Sequence, residues 1–247
     1  MLYYDFIGHN KSAIFQYIGW TPKGHNVVFV QNNNIFYQKL EDVNPTQLTF
    51  DGVKDEIFNG VPDWVYEEEI LGEDHAMWWS KDGTHLLYAQ FNDSEVRKFG
   101  YPVYGHPENI YGEIRYIAYP KPGENNPTFK LKVVNPVTKQ TVDVKPPQDI
   151  LTSPRGYYFT SVSWRDDRYF LVTWLNRYQN TSLFTVCTAV TGDCSINYRE
   201  EGHGAWVDVF KPALFTGDGK NYLMALPTRV EPSGYFKHVA MVKLPLS

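Results

Sequence analysis

Four times along the chain an aromatic residue closes one run, a polar turn follows, and a new apolar run begins. The turns are Trp20-Thr21-Pro22-Lys23-Gly24, Trp79-Ser80-Lys81-Asp82-Gly83, Trp164-Arg165-Asp166-Asp167-Arg168 and Phe215-Thr216-Gly217-Asp218-Gly219; the third lacks the glycine. They introduce strands predicted over 26–30, 85–89, 169–174 and 221–225, each a short run of β-branched, aromatic or other apolar residues. Further strands are predicted over 35–39, 47–50, 55–59, 113–119 and 128–134. An aromatic strand end, a tight turn and a β-rich return is how a propeller blade reads, with the aromatic wedged between blades. The pattern therefore predicts an all-β fold, a partial β-propeller with about four such units.

One stretch breaks the strand pattern: Asp63-Trp64-Val65-Tyr66-Glu67-Glu68-Glu69-Ile70-Leu71, just after Pro62. A strand would send Glu68 and Glu69 to opposite faces. A short helix capped by Asp63 would splay neighbours by about 100°, leaving two carboxylates free to converge on one cation. Alone, three glutamates read as a solvated turn. The flanking Trp64, Tyr66, Ile70 and Leu71 are too apolar for that, so the acidic tip is expected to stand on a packed base as a short helical insertion.

Residues 100–119 are rich in Tyr, Pro and Gly and alternate little before Glu113. A segment this long predicts a functional insertion or an extended arm. Residues 145–154 form a Pro-rich connector, but the strand pattern continues beyond it, so 1–247 is read as part of one propeller domain.

Aromatics make up 16% of the residues, which suits strands better than helices. The net charge of −5 offers no footing for nucleic acid. No run approaches the roughly 18 apolar residues of a membrane span. Cys187 and Cys194 flank the turn Thr191-Gly192-Asp193, so they are expected to face each other across a hairpin and form a disulfide. Two cysteines without matching histidines fall short of a zinc site, and no metal or other cofactor is expected. Sequons occur at Asn10, Asn92 and Asn180. With the disulfide they predict glycosylation and an extracellular or plasma-membrane setting.

Together these residues resemble the N-terminal β-propeller of the dipeptidyl peptidase IV family of serine peptidases. The resemblance rests on the 63–69 motif, on Trp78-Trp79-Ser80 with Gly83, and on Tyr88-Ala89-Gln90-Phe91-Asn92-Asp93. It continues through Tyr119-Pro120-Lys121, Asn126-Pro127-Thr128, Trp174-Leu175-Asn176-Arg177 and the segment from Trp206 to Pro212. In that family an eight-bladed propeller caps an α/β-hydrolase domain, and the pair removes dipeptides with Pro or Ala second. The resemblance implies that Glu68 and Glu69 grip the substrate's α-ammonium, with Glu67 an outer neighbour. Charge-assisted hydrogen bonds from one ammonium to two carboxylates suit that role, and an amine fixed there leaves reach for two residues before the nucleophile. It also implies that Phe210 and Lys211 line the substrate cleft, and that the arm from Tyr101 to Tyr119 supports a homodimer.

The chain has no Gly-x-Ser-x-Gly elbow and no strand–helix alternation to mount one. It therefore reads as the substrate-selecting portion of a longer enzyme that takes peptides with a free N-terminus. The missing α/β-hydrolase domain would supply catalysis, and no catalytic residue is expected in this chain. A second reading is a non-enzymatic family member, a channel-associated or binding subunit that keeps the acidic motif. Gln90-Phe91 favours the peptidase branch. A freestanding binding propeller would need a complete ring. A glycosidase would need carboxylates facing each other across about 5–9 Å, which adjacent residues rarely reach.

Overall fold

The computed structural model describes residues 14–105, 107–202, 204–209 and 211–245. Strands dominate, and nearly all sheet neighbours are antiparallel partners close in sequence. The first sheet holds β1 (Tyr17–Trp20), β2 (Val27–Gln31), β3 (Asn34–Gln38) and β4 (Thr46–Gln47) in that order. β2 is buried on both faces, with Val27, Val28, Phe29 and Val30 all in the core. β1 is an edge strand with alternating exposure, and Trp20 on it is 64% exposed, unlike the wedged aromatic expected there.

The second sheet contains β5 (Ile57–Asn59), β6 (Met77–Trp79) and β7 (Leu86–Asn92). Beyond the arm it adds β10 (Thr128–Val134) and β11 (Thr141–Asp143). Its order is β11-β10-β7-β5, with β6 also on β7. Between β7 and β10 the chain forms β8 (Lys98–Val103) and β9 (Glu113–Ala118), a two-stranded ribbon of its own. Residues 101–119 are thus mostly an extended hairpin, and Tyr104, Tyr111, Ile114 and Tyr116 stand exposed on it. The Pro-rich connector contains a four-residue helix, α1 (Gln148–Leu151), which the sequence pattern did not predict.

The third sheet is β12 (Tyr157–Trp164), β13 (Tyr169–Asn176), β14 (Thr181–Thr188) and β15 (Cys194–Glu201). The fourth is β16 (Leu214–Phe215), β17 (Asn221–Val230) and β18 (Gly234–Lys243). Leu171, Leu175 and Phe184 from the third sheet share one core with Tyr222, Met224 and Leu226 from the fourth. Cys187 and Cys194 are cross-strand partners and are joined by a disulfide, as their flanking turn predicts.

Three of the four recurring turns share a mechanism. Asp82, Asp166 and Asp218 each accept the backbone N–H two residues on, from Thr84, Arg168 and Lys220, at 2.9, 2.8 and 3.0 Å. These are Asx turns, in which a side chain stands in for a backbone carbonyl. The bonds outweigh desolvation at Asp82 and hold its carboxyl down to about 2. Gly83 and Gly219 follow with φ of 76° and 67°, which a side chain would resist. The chain divides into two compact units, 1–77 with 88–131, and 78–87 with 132–247.

Candidate functional site

The glutamate motif lies in the first unit, on an excursion that leaves the second sheet after β5 and rejoins it at β6. The excursion is pinned at its base. Gly60 N–H donates to Ala89 O, Ala76 N–H donates to Gly60 O, and Ala89 N–H donates to Ala76 O, each at 2.9 Å. A Cβ on Gly60 would stand 2.9 Å from the Ile35 side chain and the Met77 sulfur, and its φ is 75°, so the crossing requires glycine.

Within the excursion, Val65–Leu71 is a π-helix and ends at Gly72, whose φ of 66° is left-handed. The motif folds as a short helix but a wider one than the α-turn expected, so neighbouring residues are splayed by less than in an α-helix. Trp64 is the first helical neighbour in place of Asp63. Asp63 still caps the turn, for its carboxylate accepts Val65 N–H at 2.9 Å and Tyr66 N–H at 3.4 Å. Burial pushes the Asp63 carboxyl up to about 6 against those hydrogen bonds, and the Glu67 charge adds to the rise.

One side of the helix is packed. Tyr66 is 1% exposed, with its ring centroid 4.6 Å from Phe91 on β7 and 5.6 Å from Phe129 on β10. Trp64 meets Tyr119 at 4.3 Å. The other side presents Glu67, Glu68 and Glu69, all exposed. Glu73 and Asp74 follow and are also exposed; Asp74 pairs with His75 at 2.9 Å. Among the described residues no lysine or arginine pairs with Glu67, Glu68, Glu69 or Glu73. Such a cluster repels itself until a cation neutralises it.

The remaining residues of interest fall elsewhere. Phe210 and Asn10 lie outside the described residues. Lys211 is exposed and belongs to the second unit. Asn180 is exposed and Asn92 half-buried; the Asn92 side chain accepts Ser94 N–H at 2.9 Å in the expected turn. Gln90 has a structural occupation. Its amide donates to Asp51 at 2.7 Å and to Asn59 at 2.9 Å, and Asn59 donates to Asp51 at 3.0 Å. This network ties β7 to β5.

Asp93 carried no functional reading from the sequence. It follows β7, is 2% exposed, and its Oδ1 has no hydrogen-bond partner among the described residues. Burial, with the Asp63 charge adding to it and Lys98 opposing, raises its carboxyl to about 8. The only signal in the sequence was Asn92-Asp93-Ser94, which reads as a turn and is one.

Comparison with known proteins agrees with this architecture. The model of the dipeptidyl peptidase IV (DPP IV) N-terminal region matches residues 7–247. Inactive dipeptidyl peptidase 10 of Rattus norvegicus is 37% identical over 94% of this chain, and dipeptidyl peptidase 4 of Felis catus is 35% identical over 98%. The chain spans 29% and 34% of those relatives' lengths. The crystal structure of Porphyromonas gingivalis dipeptidyl peptidase 4 superposes with a TM-score of 0.78 at 28% identity, covering 91% of this chain and 30% of that one.

Proposed function

Because this chain belongs to the dipeptidyl peptidase IV family, we propose that it is the substrate-selecting portion of a serine-type dipeptidyl peptidase. In this reading Glu68 and Glu69 bind the free α-ammonium of a peptide. A hydrolase domain outside this chain cleaves after the second residue, with Pro or Ala favoured there. One observation carries the reading. Among the described residues, two adjacent carboxylates stand exposed without a counter-cation on a helix whose other side is locked into an aromatic core. A packed base fixes where the charges stand, and the lack of an internal partner leaves them available to an ammonium. Phe210 and Lys211 are proposed to line the cleft, and the exposed β8–β9 ribbon to support a homodimer through its aromatics. The disulfide and the sequons support an extracellular or plasma-membrane setting.

The test is made in the full-length protein. Glu68→Gln and Glu69→Gln each remove one charge and keep the shape, so each loses a charge-assisted contact of about 1.5–3 kcal/mol. Release of Gly-Pro from a chromogenic reporter should fall roughly ten- to a hundredfold in kcat/KM. Glu67→Gln should do much less, and an N-acetylated reporter should be refused. Equal cleavage of acetylated and free-amine reporters would leave the motif a solvated turn.

The second reading, a non-enzymatic binding subunit, is favoured by the relative named as inactive, which is as similar as the peptidase. The full-length transcript separates the two. A serine in a nucleophile elbow supports the peptidase, and its replacement supports the binding subunit.

A further inference from the structure

Two carboxyl groups are buried beside the elements that carry the glutamate helix: Asp63 is 3% exposed and Asp93 2%. Asp63 uses its carboxylate to hold the first two N–H groups of the helix. Asp93 enters from the end of β7, two residues beyond the Phe91 ring that packs on Tyr66. Its backbone is fixed, with its N–H donating to Glu56 O at 2.8 Å and its carbonyl accepting from Val96 N–H at 2.9 Å. Its Oδ1 is buried and, among the described residues, unpartnered.

The charged groups acting on this pair come from three directions. Glu67 on the helix acts on Asp63, Asp63 acts on Asp93, and Lys98 at the start of β8 is the one cation, itself exposed and screened. Two like charges in so dry a place cannot both persist, so one of the two carboxyls keeps a proton. Asp63 makes the hydrogen bonds that favour a carboxylate, whereas Asp93 has an oxygen with none.

We propose that Asp93 is a positioning residue for the ammonium-binding pair: protonated, it lets Asp63 stay charged and hold the helix; ionised, it drives the two apart and frees Glu68 and Glu69 from their fixed placement. This rests on the reading of Glu68 and Glu69 as the ammonium grip. It makes peptide binding self-limiting at alkaline pH. The Asp93 carboxyl sits at about 8, so the release falls within a biologically accessible range.

The experiment uses the full-length protein with Asp93→Asn, which keeps the shape and removes the titration. Amide hydrogen exchange, corrected for intrinsic rates, is followed in residues 63–72 and in β13 from pH 6 to 9. In the unmodified protein, protection of 63–72 should fall about tenfold in the last pH unit while β13 stays protected. In Asp93→Asn the fall should be absent. KM for the Gly-Pro reporter is measured alongside as the ratio between the two proteins, which cancels titration of the substrate amine near pH 8. That ratio should grow about tenfold between pH 7 and 9.

Asp63→Asn provides a second variant. Removing the neighbouring charge should flatten the alkaline loss of protection, because an ionised Asp93 then has no like charge to push away. Identical exchange profiles with and without Asp93, or an equal loss in β13, would overturn the proposal. Exchange as expected with a KM ratio that stays flat would confine Asp93 to holding the helix and overturn its role in binding. If, in addition, Glu68→Gln leaves KM unchanged, the ammonium reading itself has failed.

Discussion

Tyr66 decides where the glutamates stand. Its ring fills the space between Phe91 and Phe129, and no other side chain of the helix is so deeply buried. Tyr66→Ala should cost about 3–5 kcal/mol by opening a large cavity, read as a lowered midpoint in chemical denaturation of the full-length protein. Peptide release should fall with it, because the helix that carries the glutamates loses its packing. Asp63 and Asp93 make a different prediction. Both folded carboxyls are raised above their ordinary value, so the native state holds protons that the unfolded chain has given up. Their stabilisation is complete below about pH 4 and is lost as pH rises, through about 6 for Asp63 and about 8 for Asp93. Each contributes a slope of up to about 1.4 kcal/mol per pH unit while it titrates. Thermal unfolding of Asp93→Asn should therefore lose the part of this slope between pH 6 and 8.

Among the elements, the strands were legible and the helix only partly so. Residues 128–134 were predicted as a strand, and β10 has those bounds, because alternation and β-branching are local signals. The helix type was not legible. The helix is held by distant pins, Gly60 and Ala76 on Ala89 and Tyr66 between two aromatic rings, and no local propensity encodes those. Asp93 was hidden for a similar reason, since a turn motif does not say which of its side chains is turned inward. The hairpin between β14 and β15 was the most legible site, for a tight turn between two cysteines leaves little freedom. Reducing that disulfide should remove only about 2–3 kcal/mol, since so short a loop restricts the unfolded chain modestly. A shift of the unfolding midpoint with reductant checks it, and the sheet itself should persist.

For the whole molecule, two predictions concern what lies beyond this chain. Residues 1–247 alone should release no dipeptide from a Gly-Pro reporter, because they carry no nucleophile elbow; a purified sample with contaminating peptidase excluded is the measurement. Deleting 101–119 from the full-length protein should shift its mass in sedimentation from dimer to monomer, since the ribbon exposes Tyr104, Tyr111, Ile114 and Tyr116. The pinned excursion has a consequence on an evolutionary scale. Both of its ends are fastened through one residue, Ala89, so its length is fixed even where its spelling is free. Exchanging Val65 for another apolar residue of similar volume costs little. Inserting or deleting one residue between Gly60 and Ala76 would rotate the carboxylates away from each other while the sheet beneath held firm. Point substitutions can drift through this segment, but a one-codon insertion or deletion would silence the site in a chain that still folds.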